Sequence, residues 1–394
     1  MTKPLADRNG FASAYFVRAR NIMSTVEGDL LHTVEAGSIS ASRRFWGRTA
    51  LWLSAIWFMA SFVLQAVHEL GWADWGFANW RPVLYAYFLW AAVLCVTRVV
   101  IYGEAGKKAL FVLPAALFVV SMVVFPLVFA LWIGFSDWNL ASSAGRRFNG
   151  LDNARRMLAD PFYANSLINM ILYCVAIAVE YAIAFGLALL LNQEIIARKF
   201  WRVTFLVPLM LSPVAVSWMV GKSMLETRFG PVARFARWLG WENPSFFGDP
   251  LMARLSIMIM DAWTFIPFMM IMLLAGLQAL NREVLEAAEV DGATKWQRFW
   301  QVIFPLMLPV SVTAVMIRII FKLKLADIII TVTSGGPGGA TDSVTSFIYR
   351  EYRDRSNVGY GTLLALVYLV IIVVGMTGLM KISDRIVKRM TGRL

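Results

Sequence analysis

The sequence predicts an all-α, polytopic membrane helix bundle, and three observations carry the prediction. The 394 residues are 59% hydrophobic and only 16% charged, with a mean hydropathy of +0.63. A soluble chain carries roughly a quarter charged residues. The charges are also bunched, leaving apolar stretches of about 20 residues, enough for a helix rising 1.5 Å per residue to cross about 30 Å of hydrocarbon. Finally, many Lys and Arg residues gather between alternate stretches, as they do in membrane proteins. Backbone polar groups cannot be left unpaired in lipid, so the stretches must be helical. A β-barrel would show short alternating segments instead, and none is seen.

Eight stretches qualify: 49–68, 83–102, 110–134, 167–191, 203–221, 253–279, 305–330 and 362–382. The fifth is interrupted by Pro208 and Pro213, which membrane helices tolerate when neighbours re-satisfy the freed carbonyls. Residues 1–48 read as a polar arm without a secretory signal pattern. Within it, 11–34 read as an amphipathic surface helix.

Orientation follows from the cations. Arg18, Arg20, Arg43, Arg44 and Arg48 lie in the arm, and Lys107 and Lys108 follow the second stretch. Arg198, Lys199 and Arg202 follow the fourth, Arg282, Lys295 and Arg298 the sixth, and Lys381, Arg385, Lys388, Arg389 and Arg393 fill the tail. With eight spans, all of these share one side, so both termini are expected in the cytoplasm. Three groups dissent: Arg146, Arg147, Arg155 and Arg156; Lys222, Arg228, Arg234 and Arg237; Arg350, Arg353 and Arg355. The net charge of +12 reads as positive-inside bias plus attraction to anionic lipid, with no nucleic-acid partner implied. Cys95 and Cys174 sit in apolar stretches and read as small hydrophobes. His32 and His68 are too far apart for a local metal motif, so no metal site is expected.

No G-x-x-x-x-G-K-[ST] phosphate loop is present. The run Gly335-Gly336-Pro337-Gly338-Gly339 lacks the following Lys and reads as a turn. No Ser/His/Asp or other reactive cluster appears. Nucleotide energy, if used, must come from another subunit.

One charged segment, 281–305, stands out. Glu283, Glu286, Ala287 and Ala288 favour a first short helix, Asn281 suits its start and Gly292 its left-handed end. Trp296, Phe299, Trp300 and Ile303 then recur at helical spacing. A rigid, partly apolar helix pair at the membrane face suits a docking knob. Taken by themselves, the residues equally suit a loop helix lying on the bilayer.

The segment resembles the EAA loop of binding-protein-dependent ABC importer permeases. That pattern is E-A-A, three residues, G, nine residues, then I-x-L-P. Glu286, Ala287, Ala288, Gly292 and Pro305 match it, with Val302 and Phe304 as apolar replacements. Asp291-Gly292-Ala293 and Trp296-x-x-Phe299 resemble the sugar-importer branch. So do Phe135 to Asn139 before Gly150 to Asn153, Phe247 to Pro250, and Thr333 to Gly339. Together these cover roughly 110–385. Two departures are Leu280-Asn281 where Ile-Pro is common, and Leu285 where Tyr often stands.

The resemblance implies a six-helix permease core over 106–394, preceded by two extra transmembrane helices at 49–105. It also implies a multi-pass protein of the bacterial inner membrane. The implied partners are a second permease chain, usually a different one, two cytoplasmic ATPase subunits and an extracytoplasmic solute-binding protein. ATP and Mg would be bound by the ATPases, with no cofactor in this chain. Glu286, Ala287, Ala288, Asp291, Gly292, Trp296, Phe299 and Pro305 would form the coupling surface, with Glu286 facing a basic residue of the ATPase. The solute would be a sugar or sugar derivative, moved by alternating access.

Ionisable residues inside spans are costly and tend to face a cavity or a partner. Glu180, Asp261, Arg318, Lys322, Lys324 and Asp327 are the candidates for the translocation path, with Arg318 and Glu180 deepest in apolar sequence. Their reading divides between lining the path and pairing or snorkelling. A Glu180–Arg318 pair would be one such pairing. The cluster of Arg318, Lys322 and Lys324 would favour an anionic sugar. Trp263, Phe265 and Phe268 are either sugar-stacking or packing residues. Other readings of the whole chain are a self-contained secondary transporter or channel, an integral membrane enzyme, or a permease for a non-sugar solute. The first would show matching broken halves and the second a reactive cluster; neither is seen.

Overall fold

The computed structural model describes residues 40–69, 74–102 and 104–390, which form a helical membrane bundle. The helix expected at 11–34 lies outside the described residues. The chain divides into two compact units, Met1–Leu127 and Val128–Leu394. The division falls inside the third apolar helix, beyond residue 105, where the sequence ends the two-helix extension. Among the described residues, seven helices are long and apolar enough to cross a membrane: Ala41–Glu69, Arg81–Tyr102, Gly106–Gly134, Pro161–Asn192, Pro250–Gln278, Lys295–Val332 and Val358–Arg389.

The first unit holds α1 (Ala41–Glu69), α2 (Arg81–Tyr102) and α3 (Glu104–Val119). α1 buries its small and polar residues, Gly47, Ser54, Ser61 and Gln65, and exposes Trp46, Trp52 and Trp57. That inversion is expected where lipid is as apolar as any side chain and close backbone approach drives pairing. A Cβ on Gly47 would come within 2.9 Å of Ile101 Cγ1.

A π-helical turn at Val120–Val124 leads into α4 (Phe125–Gly134), which completes the third span. In the second unit, a small antiparallel pair, β1 (Ser136–Asp137) and β2 (Arg147–Phe148), is followed by α5 (Asp152–Ala159) and α6 (Pro161–Asn192). Asp160 caps α6, accepting from the Phe162 amide at 2.9 Å, and Pro161 takes the first helical position. The fifth stretch is not a straight span. α7 (Arg198–Met210) and α8 (Pro213–Val216), extended by a π-helical turn at Ser217–Met224, meet at 95°. Pro213 lacks the amide needed to continue α7, and Ser212 instead caps a new helix through the Ala215 amide. Proline here redirects the chain where the sequence reading expected it to be absorbed.

The remaining helices are α9 (Pro231–Trp238), α10 (Pro250–Gln278), α11 (Arg282–Val290), α12 (Lys295–Arg298), α13 (Phe304–Leu323), α14 (Asp327–Val332), α15 (Val344–Arg353) and α16 (Val358–Met390). The core lies where α6, α10 and α13 pack on one another. Ala184, Phe185, Ala188, Met269, Leu273 and Met307 meet there, all essentially buried.

α16 starts hard against β1. The Gly359 amide donates to the Trp138 carbonyl at 3.0 Å, and a Cβ on Gly359 would overlap the Ser136 carbonyl oxygen. Gly359→Ala is therefore expected to destabilise the fold by about 1–3 kcal/mol, the usual cost of forced overpacking. The check is a lower thermal unfolding midpoint of the purified protein; an unchanged midpoint would contradict the close approach.

Candidate functional site

The segment 281–305 is built as a defined corner. The Asn281 side chain accepts from the Glu283 amide at 3.0 Å and starts α11. At its end Gly292 takes φ +77°, the Gly292 amide bonds the Glu289 carbonyl at 3.1 Å, and the Ala293 amide bonds the Ala288 carbonyl at 3.0 Å. This is a Schellman motif, which a left-handed glycine closes. Two residues later Thr294 opens α12 with a capping box: Gln297 N–H donates to Thr294 Oγ1, and Thr294 N–H donates to Gln297 Oε1 at 2.9 Å. Arg298 Nη1 reaches Glu289 Oε2 at 2.9 Å across the corner. Stop, turn and restart thus occupy consecutive residues, which fixes the angle between the two helices.

The second helix is not free-standing. α12 runs through a π-helical turn at Phe299–Ile303 directly into α13. Its apolar stripe divides by role. Phe299 packs edge-on to Phe185 of α6 at 5.5 Å, and Ile303 joins the same core. Trp296 (70% exposed) and Trp300 face outward, as does Val290 of α11 (87% exposed). Glu286, Ala287 and Asp291 are exposed, while Ala288 and Pro305 are partly covered. A rigid corner with an outward apolar surface, continuous with a membrane span, is able to transmit force.

Inside the bundle the structure brings together Glu180 of α6, Asp261 of α10, and Arg318 and Lys322 of α13. Arg318 Nε donates to Glu180 Oε2 at 2.7 Å, and Lys322 Nζ to Glu180 Oε1 at 2.7 Å. Arg318 Nη2 and Lys322 Nζ both donate to Asp261 Oδ2. Arg318 and Lys322 are wholly buried, and the two carboxylates nearly so. Two cations and two anions sum to zero. Such groups persist in low dielectric only when paired. The Arg318 guanidinium lies 4.5 Å from the Phe265 ring centroid, and its Nη1 bonds no protein group.

This arrangement corrects one expectation. Arg318 and Lys322 are spent on carboxylates, so they do not present free positive charge to a solute. Lys324 and Asp327 are exposed and stand outside the quartet, Asp327 in the first turn of α14. Trp263 is 40% exposed on α10. Phe265 and Phe268 both contact Phe321, at 5.6 and 5.5 Å.

Sequence reasoning missed a second polar assembly. The loop 333–343 is held from two helices: Asn165 donates to the Gly339 carbonyl at 2.7 Å, Asn169 to Asp342 at 2.9 Å, Tyr173 to Thr341 at 2.8 Å and Arg254 to Ala340 at 2.7 Å. Asp342 is buried and pairs with Arg350 and Ser346. Burial pushes its carboxyl above the usual range, opposed by the Arg350 charge. The available signal was Asn165, Asn169 and Tyr173 at i, i+4, i+8, a polar stripe on an apolar helix.

Most of the dissenting cations have work within the fold. Arg146 lies over Trp132 at 5.2 Å and Arg156 over Tyr360 at 4.0 Å. Lys222 donates to the Val332 carbonyl at 3.0 Å and Arg237 to the Thr227 carbonyl at 3.1 Å. Arg350 and Arg355 pair with Asp342 and Glu351.

The bundle and its capped corner define a membrane permease of the ABC importer type. Residues 182–389 match the family described as binding-protein-dependent transport system inner membrane component, and the chain belongs to that family. It is 30% identical over 272 residues to the trehalose/maltose transport system permease protein MalF of Thermococcus litoralis, covering 69% of this chain and 91% of the relative. It is equally 30% identical over 272 residues to the sulfoquinovosyl glycerol transport system permease protein SmoG of Agrobacterium fabrum, covering 69% and 88%. A crystal structure of a bacterial alginate ABC transporter in complex with alginate pentasaccharide-bound periplasmic protein shares the fold. Its TM-score is 0.60 at 20% identity, over 78% of this chain and 98% of that one. Members of this family are permease subunits, not enzymes, and this one is a multi-pass membrane protein.

Proposed function

We propose that this chain forms half of the translocation path of an ATP-driven importer for a sugar or sugar derivative, with a second permease supplying the other half. Two ATPase subunits bind ATP and Mg and grip the corner at 281–305 from the cytoplasm. An extracytoplasmic binding protein delivers the solute. The single observation that carries this reading is the corner itself: two capped helices at a fixed angle, an exposed Trp296 and a continuous run into a span. Orientation draws support from the cations. With the bent pair Arg198–Met210 and Pro213–Met224 counted as an eighth span, the cations of the arm, the corner and the tail share one side and put both termini inside.

The carbohydrate class rests on relatives named for trehalose/maltose and for sulfoquinovosyl glycerol. Trp263, 40% exposed on α10, offers aromatic surface for a sugar ring. Closing of the ATPases would draw the corners together and expose the path to alternate sides. The test is uptake by the complete complex in proteoliposomes, comparing a neutral disaccharide, a sulfonated glycoside and an amino acid. Uptake of one of the carbohydrates that depends on ATP and binding protein is expected. Uptake by this chain alone without ATP would favour a self-contained transporter instead.

A further inference from the structure

α13 joins the corner to the bundle, and two kinds of contact hold it. Toward the corner the contact is mainly apolar, with Met307 buried among residues of α6 and α10. Burial of apolar surface is non-directional, so by itself such contact specifies register less sharply than ion pairs do. Farther along, the contact is ionic and keyed to position. Glu180 bridges both cations with separate oxygens, and Asp261 bridges both with one.

Consider α13 displaced by one turn, about 5.4 Å. Either Lys322 or Ala314 would then take the place of Arg318. Either way two carboxylates would face one cation, and the other cation would face an apolar seam. One turn from Glu180 stand Ile177 and Ala184, and one turn before Asp261 stands Ile257, all buried. Thr264, one turn after it, already donates its hydroxyl to the Met260 carbonyl at 2.9 Å. No charged partner waits at the displaced position, and a stranded charge is strongly disfavoured there. A second point fixes the same register: Tyr181 of α6 donates to Ser311 Oγ of α13 at 2.7 Å.

We infer that Glu180, Asp261, Arg318 and Lys322 are positioning residues for transport. They lock α13 in register with α6 and α10, so that a push on the corner moves three helices as one body. From Phe304 to Arg318 the push travels fourteen residues, about 21 Å at 1.5 Å per residue. The inference rests on the reading that a separate ATPase grips the corner.

The test has two arms, both on the complete complex in proteoliposomes. In the first, Glu180→Gln with Lys322→Met keeps the quartet neutral through the Arg318–Asp261 pair but removes one of its two cross-links. Binding-protein-stimulated ATP hydrolysis is expected to stay within about twofold of wild type, while solute moved per ATP falls on the order of tenfold. A merely structural role would lower both together, and unchanged solute per ATP would overturn the inference. The second arm leaves the quartet intact. Spin labels replace the exposed Val179, Ile259 and Ile320, with Cys95 and Cys174 changed to Ala. The three distances are expected to be the same in nucleotide-free and ATP-trapped complexes. A shift of Ile320 against Val179 by about one turn, 5.4 Å, would overturn the inference even if the double variant fails to assemble. Absence of ATP-dependent uptake by the wild-type complex would overturn the importer reading as well, a different failure from preserved coupling in the double variant.

Discussion

Glu180→Gln alone is expected to remove most of the folded protein. The substitution leaves Arg318 and Lys322 facing one carboxylate, a net charge of +1 in a site where both cations are wholly buried. Neither can be rehydrated, and both donated bonds to Glu180 are lost or weakened. Removing one partner of a buried ion pair costs about 3–5 kcal/mol. That is roughly two to nearly four orders of magnitude in the folded ratio at 1.4 kcal/mol per tenfold. Asp261→Asn is expected to behave alike, and Arg318→Gln similarly with the opposite excess charge. Glu180→Gln with Lys322→Met restores neutrality and is expected to recover most of the yield. Monodisperse protein after detergent extraction, with its thermal midpoint, is the readout. Single variants that melt like wild type would contradict burial of the quartet.

The second large effect belongs to the corner and leaves the fold alone. Trp296 touches its own helix neighbours, Phe299 at 6.3 Å and Trp300 at 5.6 Å, and otherwise faces outward. Trp296→Ala should therefore change the unfolding midpoint little. As a buried aromatic anchor in a partner's groove it would carry at least about 2 kcal/mol, or roughly 30-fold in affinity. Loss of ATPase co-purification and of solute-stimulated hydrolysis is expected. Gly292→Val acts through backbone: nothing crowds a Cβ there, but φ of +77° costs a branched residue about 1–2 kcal/mol. Gly292→Asn tolerates that conformation better and is expected to retain more coupling. Equal coupling in wild type, Gly292→Val and Trp296→Ala would contradict the docking role.

Much of this architecture is legible in the sequence. Span positions follow from hydropathy because lipid leaves the backbone only one solution. The corner was legible because Asn281, Gly292 and the Trp296–Ile303 spacing are local signals, readable within a few residues. Other features escaped for a physical reason: they are long-range. Glu180, Asp261 and Arg318 are 57 to 138 residues apart. A stretch holding one charge does not say whether that charge faces a path or a partner. For Asp261 and Lys322 the sequence leaves both readings open, path and pairing, and only packing shows that they complete a neutral quartet. The bend at Leu211–Ser212 lay behind a proline that membrane helices often absorb. Asn165 and Asn169 carry no local sign of their partners, because the Gly339 and Asp342 carbonyls they bond lie 174 and 173 residues away.

The central claim is that the corner at 281–305 is a handle held by a separate motor in the cytoplasm. The most direct measurement places a photo-cross-linking amino acid at Val290 or Trp296, both outward-facing, in the complex assembled in cells. The account predicts a covalent adduct with an ATPase subunit. It also predicts that a cysteine at residue 290 stays unreactive to a membrane-impermeant maleimide added outside. Labelling of that cysteine from outside, with no ATPase adduct, would put the handle on the wrong face of the membrane and contradict the account.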